Sequence, residues 1–370
     1  MNNRDVLIPI ITNIGEDHRC RKIVSTLKRY GYTPHVYCDA PVTPYKPMWK
    51  DIDLSVITRW SHTRCFLPVF ILFNLKLVFI MSISRAGVCI VEDCPPLLTA
   101  SLIGRIKGIR VIYDSHELFS ETPGVKRGVV RRFFWRVWES AGIRLSKGVI
   151  TVSEGIKSVL AERFPEKRIQ VLPNMPLYTA REYRKDPELS EKSIRLLYQG
   201  ALRKGSGLMD ALKGIRGKER ISIDIFGSGE EEAALREYAC DYGMQERVRF
   251  RGVIESSELA LKTPCYDIGL HLLHPLNRSF DLTLSNKIFE YLQAGLPVLL
   301  SNTNAHKELL ERYPVGIVVP YGDPDSIERG LIALIKEYPF YHSRVLAHRR
   351  VLCWGNYEEV LIKEIQREGK

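Results

Sequence analysis

A lysine and a glutamate stand three residues apart near the start of an otherwise apolar segment, "DLTLSNKIFEYLQAGLPVLLS". A helix is predicted to begin after Ser285, a good N-cap residue, and to end at Ala294, so Lys287 and Glu290 share one face of its first turns. Such a carboxylate can accept two hydrogen bonds from a ribose diol, and such a lysine can meet phosphate. A plain ion pair between the two residues is the alternative.

A second cluster of polar residues follows an apolar strand in "LLYQGALRKGSGLMDAL" (196–212). Gly200 ends the strand, and Arg203 and Lys204 precede two further glycines and a helix. Two cations beside open backbone amides can hold a diphosphate. The segment is not a Walker A loop, because the G-x-x-x-x-G-K-[ST] spacing is absent.

Two glycine turns link strands to helices elsewhere in the chain. Gly227 lies in "IDIFGSGEEEAAL" (223–235), whose G-x-G is too short for a dinucleotide fingerprint. Gly15 lies in "TNIGEDHR" (12–19), where a ligand could approach the backbone closely at a helix N-terminus. Either turn could equally be an ordinary strand-to-helix connection.

His116 follows the strand "RVIYD" and begins a polar loop, 115–128. A histidine at a strand end can act as a base, as a proton relay or as a hydrogen-bond donor to a sugar hydroxyl. Asp114 and Glu117 beside it favour a functional role. The alternative is that His116 caps the following helix or loop.

Basic and aromatic residues alternate in "KRGVVRRFFWRVWESAGIRLSKG" (126–148), with Arg131, Arg132, Trp135 and Arg136 at its centre. On one helix, this mixture suits the surface of an anionic membrane, where aromatic rings enter the interface and cations meet lipid phosphates. The same residues could bind nucleic acid, or form a buried aromatic face with a solvated basic back.

The most apolar stretch is "FLPVFILFNLKLVFIMSIS" (66–84). Its length is at the lower edge of the roughly 17–25 residues that span a bilayer, and Asn74 and Lys76 stand in its middle. We therefore predict a buried or membrane-surface helix here rather than a spanning one.

The net positive charge of the chain lies in its first half. Residues 1–180 hold 26 Lys and Arg against 15 Asp and Glu, a net +11, whereas residues 181–370 are neutral. This asymmetry predicts an anionic partner for the first half, such as a membrane surface, nucleic acid or a phosphorylated substrate. The eight cysteines include no C-x-x-C pair, and no signal peptide is recognisable, so a reducing cytoplasmic location is expected.

Short β-branched runs alternate with helical segments throughout, which is typical of parallel βαβ units. The predicted strands fall into two series: 6–11, 34–38, 54–58, 88–92, 110–113, 148–152 and 169–172, then 195–199, 221–226, 247–250, 266–270, 297–300 and 315–319. We predict an acceptor domain over 1–178, a linker over 179–193, a donor domain over 194–345 and crossover helices over 346–370. Open α/β sheets bind ligands at the carboxyl ends of their strands, where the polar residues above are expected.

Several of these segments resemble the family-4 glycosyltransferases. The motifs are "YQGALRKGSGLMDAL", "IFGSGEEEAAL" and "SNKIFEYLQAGLPVL" in the second half, with "YDSHELFSE" and "ITVSEGIKSVL" in the first. The resemblance implies an α/β GT-B fold, in which two Rossmann-like domains face each other across a cleft and a C-terminal helix crosses back. It also implies retaining transfer of a sugar from a nucleotide diphosphate, without a metal or other cofactor.

The resemblance also implies roles for individual residues. Glu290 would hold the donor ribose, Arg203 and Lys204 the diphosphate, and the backbone from Arg251 to Val253 the base. Gly15 would approach the donor phosphates, and His116 the transferring sugar or the reaction centre. The remaining donor-side residues are Gly227, Asn286 and Lys287.

The sequence departs from the family pattern at one important position. Many members carry two glutamates eight residues apart, but Leu282 stands eight residues before Glu290, and the nearby Asp281 is out of register. The contact that the first carboxylate makes to the donor sugar must therefore be made in another way. The first domain also lacks the usual Gly-Gly turn.

The sequence thus predicts a cytoplasmic glycosyltransferase peripheral to the inner face of the membrane. Its expected partners are a nucleotide sugar, a glycan or lipid-linked acceptor of cell-surface polysaccharide synthesis, and an anionic membrane surface, with no nucleic acid. The alternatives are a nucleotide-sugar epimerase of the same architecture and a non-catalytic binder of anionic surfaces.

Overall fold

The computed structural model describes residues 4–13, 17–39, 53–58, 66–122, 125, 128–178, 193–276 and 278–367. Contacts divide the chain into two compact units. The first unit comprises Met1–Pro173 and Tyr357–Lys370, and the second comprises Asn174–Asn356.

The first unit is built on a parallel sheet of seven strands in the order β3-β2-β1-β4-β5-β6-β7. The strands are β1 Asp5–Asn13, β2 Thr33–Asp39, β3 Asp53–Thr58, β4 Val88–Glu92, β5 Arg110–Ser115, β6 Gly148–Thr151 and β7 Ile169–Val171. All seven predicted strands are confirmed within a few residues. The central strand β4 is buried along its whole length, as expected for a sheet covered on both faces.

Among the described residues, five α-helices connect these strands: α1 His18–Arg29, α2 Phe66–Ile83, α3 Leu97–Lys107, α4 Val129–Leu145 and α5 Glu154–Arg163. Local sequence sets the ends of α1. The Asp17 carboxylate accepts hydrogen bonds from the backbone N–H groups of Arg19 and Cys20, at 3.0 and 2.8 Å. Gly31, with φ of +80°, lets the chain turn towards β2.

The second unit has a parallel sheet of six strands in the order β10-β9-β8-β11-β12-β13. The strands are β8 Ile194–Gln199, β9 Ile221–Phe226, β10 Val248–Gly252, β11 Ile268–His271, β12 Val298–Ser301 and β13 Gly316–Val319. The helices are α6 Leu208–Gly214, α7 Glu232–Asp241, α8 Ser256–Lys262, α9 Arg278–Leu282, α10 Asn286–Gln293, α11 Asn304–Arg312, α12 Pro324–Lys336 and α13 Tyr338–His348. Helix α10 begins after Ser285, as predicted.

The two sheets share one topology. In each, the strand order reverses beside the first strand of the series, between β1 and β4 and between β8 and β11. Ligands of open α/β sheets bind at such reversal points, outside the carboxyl ends of the strands. The polar residues singled out in the sequence follow β5, β8 and β9 or lie on α10, which precedes β12.

The last helix, α14 Glu358–Gln366, belongs to the first unit. The buried Glu358 carboxylate accepts hydrogen bonds from Thr26 and Arg29 of α1, at 3.1 and 2.7 Å, and Glu364 pairs with Arg110 of β5 at 3.0 Å. Residues 346–356, the first part of the predicted crossover segment, cluster with the second unit. There the Gln293 amide donates to the backbone carbonyl of Leu352 at 3.0 Å. The predicted linker lies almost entirely outside the described residues.

Candidate functional site

Glu290 is held by the last residue of β8, and the helix that carries it is held by β8 and β11. Its exposed carboxylate accepts a hydrogen bond from the side-chain amide of Gln199, the last residue of β8. The backbone N–H of Gln199 donates to the hydroxyl of Tyr291 at 2.9 Å, and this hydroxyl donates to the carbonyl of Leu270 in β11 at 3.3 Å. Tyr291 is fully buried, and burial raises the pKa of its phenol well above the ordinary value. Helix α10 is therefore anchored to β8 and β11 just beside Glu290.

Lys287 lies over Gly200, the first residue after β8. A Cβ atom at Gly200 would be only 3.0 Å from the Cε atom of Lys287. Lys287 and Glu290 are both described, and no ion pair joins them within 4 Å. The alternative of a simple salt bridge is therefore wrong: the carboxylate is held by Gln199, and the lysine extends over the strand end.

The turns after β8 and β9 touch through their glycines. A Cβ atom at Gly227, whose φ is +147°, would lie 1.8 Å from the carbonyl oxygen of Gly200. A Cβ atom at Gly229 would lie 2.3 Å from the carbonyl oxygen of Leu202. Both distances are far below van der Waals contact, so only glycine fits at either position. The sequence signal for this contact was the G-x-G spacing.

We expect Gly227→Ala to destabilise the second unit by about 3 kcal/mol, because it combines a backbone clash with a φ that side chains disfavour. Gly355→Ala is the matched control, since nothing lies within 4 Å of a Cβ atom there. Urea unfolding of both variants measures the difference. Equal stabilities would show that the turns after β8 and β9 separate readily.

The other cations predicted to bind the donor are exposed. The Arg203 guanidinium lies 5.1 Å from the centre of the Phe280 ring, a cation–π contact that orients it. Lys204 is exposed one residue further on. Arg251 donates to Asp224 at 2.8 Å, whereas Val253 is 74% exposed. Asn286 is the first residue of α10 and is half-buried.

Two histidines near these cations were missed in the sequence. His271 ends β11 and is buried, and its Nε2 atom has no hydrogen-bond partner among the described residues. Burial, then His306, Lys287 and Arg203, lower the pKa of His271 well below its ordinary value. His306 contacts the carbonyl of Ser301 through Nδ1 at 2.7 Å. The sequence signal that could have identified His271 is its position at the end of a predicted strand.

Asp281 does not replace the acid missing at Leu282. Its carboxylate accepts hydrogen bonds from the backbone and side-chain nitrogens of Asn304, at 3.0 and 2.5 Å. Asp281 therefore holds the first residue of α11. Such a capping contact explains its position without any role in sugar recognition.

In the first unit, His116 is surrounded by carboxylates. Its ring nitrogens lie 3.4 Å from Asp114, 3.5 Å from Asp93 and 3.8 Å from Glu92. Burial alone would lower the pKa of His116, but Asp93 and Asp114 raise it to about 10. At neutral pH, this imidazole is a cation that carries an N–H on each nitrogen, and its Nε2 atom has no hydrogen-bond partner among the described residues. The structure therefore favours a hydrogen-bond donor role over that of a base.

Asp114 is held by a second cation from α1. The Arg19 guanidinium donates to both of its oxygens, at 2.8 and 2.7 Å, and to the carbonyl of Leu172 at 3.0 Å. Both partners are almost completely buried. Burial would raise the pKa of Asp114, but Arg19 and His116 hold it below its usual range. This paired carboxylate fixes His116 in place.

Glu92 is fully buried, and neither of its oxygens has a hydrogen-bond partner among the described residues. Burial, and next the charge of Asp17, raise the pKa of Glu92 well above the ordinary value. Asp93 follows with φ of +65°, the only positive value found at a described residue other than glycine. Backbone strain of this kind is concentrated at functional sites.

Glu92, Asp114 and His116 offer three ligand atoms within 4.8 Å of one another. Arg19 already occupies both oxygens of Asp114, and its charge would repel a metal ion. The prediction that no metal is needed stays a prediction. Gly15 lies outside the described residues.

Family profiles of known proteins match both halves of the chain. The profile described as "Glycosyltransferase Family 4" matches residues 18–175, and that described as "Glycosyl transferases group 1" matches residues 194–337. The chain is a family-4 glycosyltransferase. The resemblance inferred from the sequence is thereby confirmed.

Individual relatives of this glycosyltransferase are distant. It is 32% identical over 152 residues to a phosphatidyl-myo-inositol mannosyltransferase of Mycobacterium leprae, a match to 40% of this chain and 38% of that protein. The chain spans about half or less of the length of the curated relatives it matches.

Solved structures similar to this glycosyltransferase cover nearly the whole chain. The Anabaena protein HepE in complex with UDP and glucose has a TM-score of 0.75 at 14% identity, over 98% of this chain and 99% of that one. The lipopolysaccharide outer core galactosyltransferase WaaB has a TM-score of 0.73 at 14% identity, over 98% of both chains. These similarities confirm the GT-B fold.

The aromatic residues of α4 in the glycosyltransferase divide between two faces. Trp135, predicted to face a membrane, is 5% exposed and packs edge-on against Phe70 of α2 at 5.4 Å between ring centres. That prediction is wrong for Trp135, because the tryptophan fills an aromatic cluster under the helix. Arg131 and Arg136 are exposed, and Arg132 pairs with Glu121 at 2.9 Å.

We expect His116 of this glycosyltransferase to stay protonated through pH 8. A raised folded-state pKa contributes stability that is fully present below the ordinary value of 6.5 and is lost as the pH rises towards 10. Histidine NMR resonances, assigned with His116→Gln, measure this titration. A midpoint near 6.5 would mean that Asp93 and Asp114 do not hold the imidazolium.

Proposed function

We propose that this family-4 enzyme transfers a hexose-type sugar from a nucleotide diphosphate to a hydroxyl of a glycan or lipid-linked acceptor, with retention, at the cytoplasmic side of a membrane. The observation that carries the proposal is the arrangement at the ends of β8 and β9. There, Glu290 is held by Gln199, Lys287 lies over Gly200, and Gly227 allows the turns after β8 and β9 to pack closely together.

The cations of the second unit suit departure of a nucleotide diphosphate. Negative charge grows on the leaving phosphate as the sugar bond breaks, and fixed positive groups stabilise that state more than the bound donor. Lys287 and Arg203 are such groups, and α10 begins beside Lys287 with its positive dipole end. His271 is buried and neutral, so its imidazole can donate one hydrogen bond to the sugar nucleotide without adding charge.

The carboxylate of Glu290 suits recognition of a ribose. Gln199 donates to only one of its oxygens, so the carboxylate retains acceptor capacity for the two adjacent hydroxyls of a ribose. Because Gln199 is itself fixed through Tyr291, the carboxylate is positioned before the donor arrives. Such preorganisation improves binding, since less side-chain freedom is lost.

His116 is suited to donate a hydrogen bond to the transferred sugar. As an imidazolium, it can hydrogen-bond a sugar hydroxyl or stabilise developing negative charge, but it has no free lone pair with which to remove a proton. Retention of configuration rests on the family resemblance. The acceptor class is supported by the similarity to the mannosyltransferase and the galactosyltransferase described above, whose names indicate lipid and lipopolysaccharide acceptors.

A thermal-shift screen against UDP, GDP, ADP, dTDP and their sugars tests the donor site. A nucleotide at a hundred times its Kd stabilises the native state by about 2.7 kcal/mol. We expect one base to give such a shift and Glu290→Ala to lose it, while Glu308→Ala, an exposed glutamate of α11, keeps it. No shift with any nucleotide would contradict the proposal.

Product analysis tests the reaction. Incubation with the matching sugar nucleotide and acceptor is expected to release nucleotide diphosphate and to give a product whose anomeric configuration, measured by NMR, equals that of the donor. Inversion would contradict retention. A stereoisomer of the donor formed without acceptor would identify an epimerase instead.

A further inference from the structure

Helix α2 has two apolar faces, of which the first unit covers one. Phe73, Leu77 and Met81 are fully buried on the inner face. On the outer face, the side chains at every fourth position, Leu67, Ile71, Leu75, Phe79 and Ile83, are 49–66% exposed. A helix that is apolar all round is normally buried all round. The described residues leave this outer face uncovered.

The polar residues of α2 do not make its outer face hydrophilic. Asn74 donates from its side-chain amide to the carbonyl of Phe70 at 2.8 Å, and Lys76 donates to the carbonyl of Ile57 at 2.6 Å. Both side chains therefore bond to nearby backbone of the first unit. The segment contains no acidic residue. What remains towards solvent is a continuous apolar stripe.

Helix α4 carries a second exposed apolar stripe. It contacts α2 through Phe70, whose ring lies 5.1 Å from Trp138 and 5.4 Å from Trp135. Its opposite side exposes Val129, Phe133 and Val137, again at every fourth position, with Val129 87% exposed. We call these three residues and the five of the α2 stripe the outer apolar face. Large exposed apolar side chains that share one helix face mark interaction sites.

The exposed charges on α2, α3 and α4 have one sign. The only acidic residue of α2, α3 and α4 is Glu139, which is buried. The cations on these helices, apart from Lys76, are Arg105, Lys107, Arg131, Arg132, Arg136 and Arg144. Arg131 and Arg136 have no described carboxylate within 4 Å. An apolar surface with cations around it and no exposed acid is complementary to anionic lipid.

A second copy of the chain fits this face less well. Two copies joined through it would bring the same arginines together, and like charges facing each other oppose association. By length and composition, α2 is the only described helix that would be able to cross a bilayer. Crossing would withdraw Phe73, Leu77 and Met81 from the core of the first unit, so α2 is better placed to lie on a membrane than to span it.

We propose that the outer apolar face docks on the surface of an anionic phospholipid bilayer, with its side chains entering the interface and Arg131 and Arg136 meeting lipid phosphates. This inference deepens the proposed function, on which it rests only for the idea that the acceptor is lipid-linked. The docking itself depends on α2 and α4 alone.

Vesicle flotation with the full chain tests the docking. Vesicles of phosphatidylcholine with about a third phosphatidylglycerol are compared with pure phosphatidylcholine, in low and high salt. We expect binding to the anionic vesicles that weakens with salt, because screening reduces the arginine contribution. Leu75→Ser and Phe79→Ser are each expected to weaken binding about tenfold, since a large apolar side chain no longer leaves water.

Matched controls come from the second unit. Leu261 is 65% exposed and Leu75 is 64% exposed, so Leu261→Ser removes the same exposed side chain at an unrelated site. A double variant, Arg131→Gln with Arg136→Gln, removes two positive charges beside the outer apolar face and is expected to weaken binding to anionic vesicles. The control double variant, Arg220→Gln with Lys336→Gln, removes two positive charges from the second unit. We expect the controls to bind as the wild type does. All changed residues are exposed, and melting temperatures verify that the variants remain folded.

Several outcomes would overturn the docking. Absence of vesicle binding by the wild type would do so, as would equal loss in Leu75→Ser and Leu261→Ser. Resistance to carbonate extraction would show a spanning helix instead. A dimer in sedimentation that dissociates in Phe79→Ser would identify a second copy as the occupant.

The docking and the transfer reaction can fail separately. Nucleotide-induced thermal shifts are measured without vesicles, and vesicle binding is measured without nucleotide. A thermal shift without vesicle binding would reject only the docking. Vesicle binding without a shift from any nucleotide would reject only the transfer.

Discussion

Replacing Lys287 by alanine is expected to lower the rate of sugar transfer by about 10²–10³-fold, the usual effect of losing one fixed group that stabilises developing charge. Lys287 extends over Gly200, at the end of β8, and a longer or shorter side chain would place its charge elsewhere. The effect is expected in kcat more than in KM, because the leaving phosphate carries more charge in the transition state than in the bound donor.

Release of nucleotide diphosphate from the matching donor measures this rate. Lys307→Ala is the control, because Lys307 is an exposed lysine of α11. Lys287→Arg keeps the charge and is expected to recover part of the rate. A Lys287→Ala variant with an unchanged kcat and a raised KM would assign the lysine to ground-state binding instead.

The strands and their order of occurrence could be predicted because parallel strands buried on both faces are nearly continuous apolar runs. The start of α10 could be predicted because Ser285 is a strong N-cap residue, although its side chain makes no capping hydrogen bond. Once the first residue of α10 was known, the face of the helix on which Glu290 lies could also be predicted. Its partner could not be predicted, since Gln199 is 91 residues away in the chain.

The direction of side chains on α4 was harder to predict. Cations and aromatic rings alternate there, so the sequence did not decide which rings face inward. The decision comes from Phe70 of α2, which packs against Trp135 and Trp138 and leaves Phe133 outside. A tertiary contact thus reversed the predicted role of Trp135 while leaving the arginines exposed.

In the cluster around His116, too, contacts between residues that are distant in the sequence could not be predicted. His116 and Asp114 were recognisable because they lie at the end of a strand, but the ion pair between Arg19 and Asp114 could not be predicted from the residue pattern. That pairing joins residues 95 positions apart. Glu92 ends a different strand and comes close only because β4 and β5 are neighbours in the sheet.

Replacing Arg19 by methionine is expected to destabilise the first unit by about 3–5 kcal/mol, because the buried carboxylate of Asp114 would lose its partner. The pair is almost completely buried, with both guanidinium bonds between 2.7 and 2.8 Å. A lowered pKa means that this stability is present above the ordinary value of 3.8 and is lost as the pH falls below it. The loss is therefore fully expressed at pH 7.

Urea unfolding followed by tryptophan fluorescence measures this change, since Trp135 and Trp138 lie in the first unit. Arg21→Met, on the same helix, is the control. Asp114→Asn in the Arg19→Met background is expected to recover part of the loss, because a neutral amide is cheaper to bury than an unpaired carboxylate. If Arg19→Met and Arg21→Met unfold at the same urea concentration, Asp114 is stabilised by His116 alone.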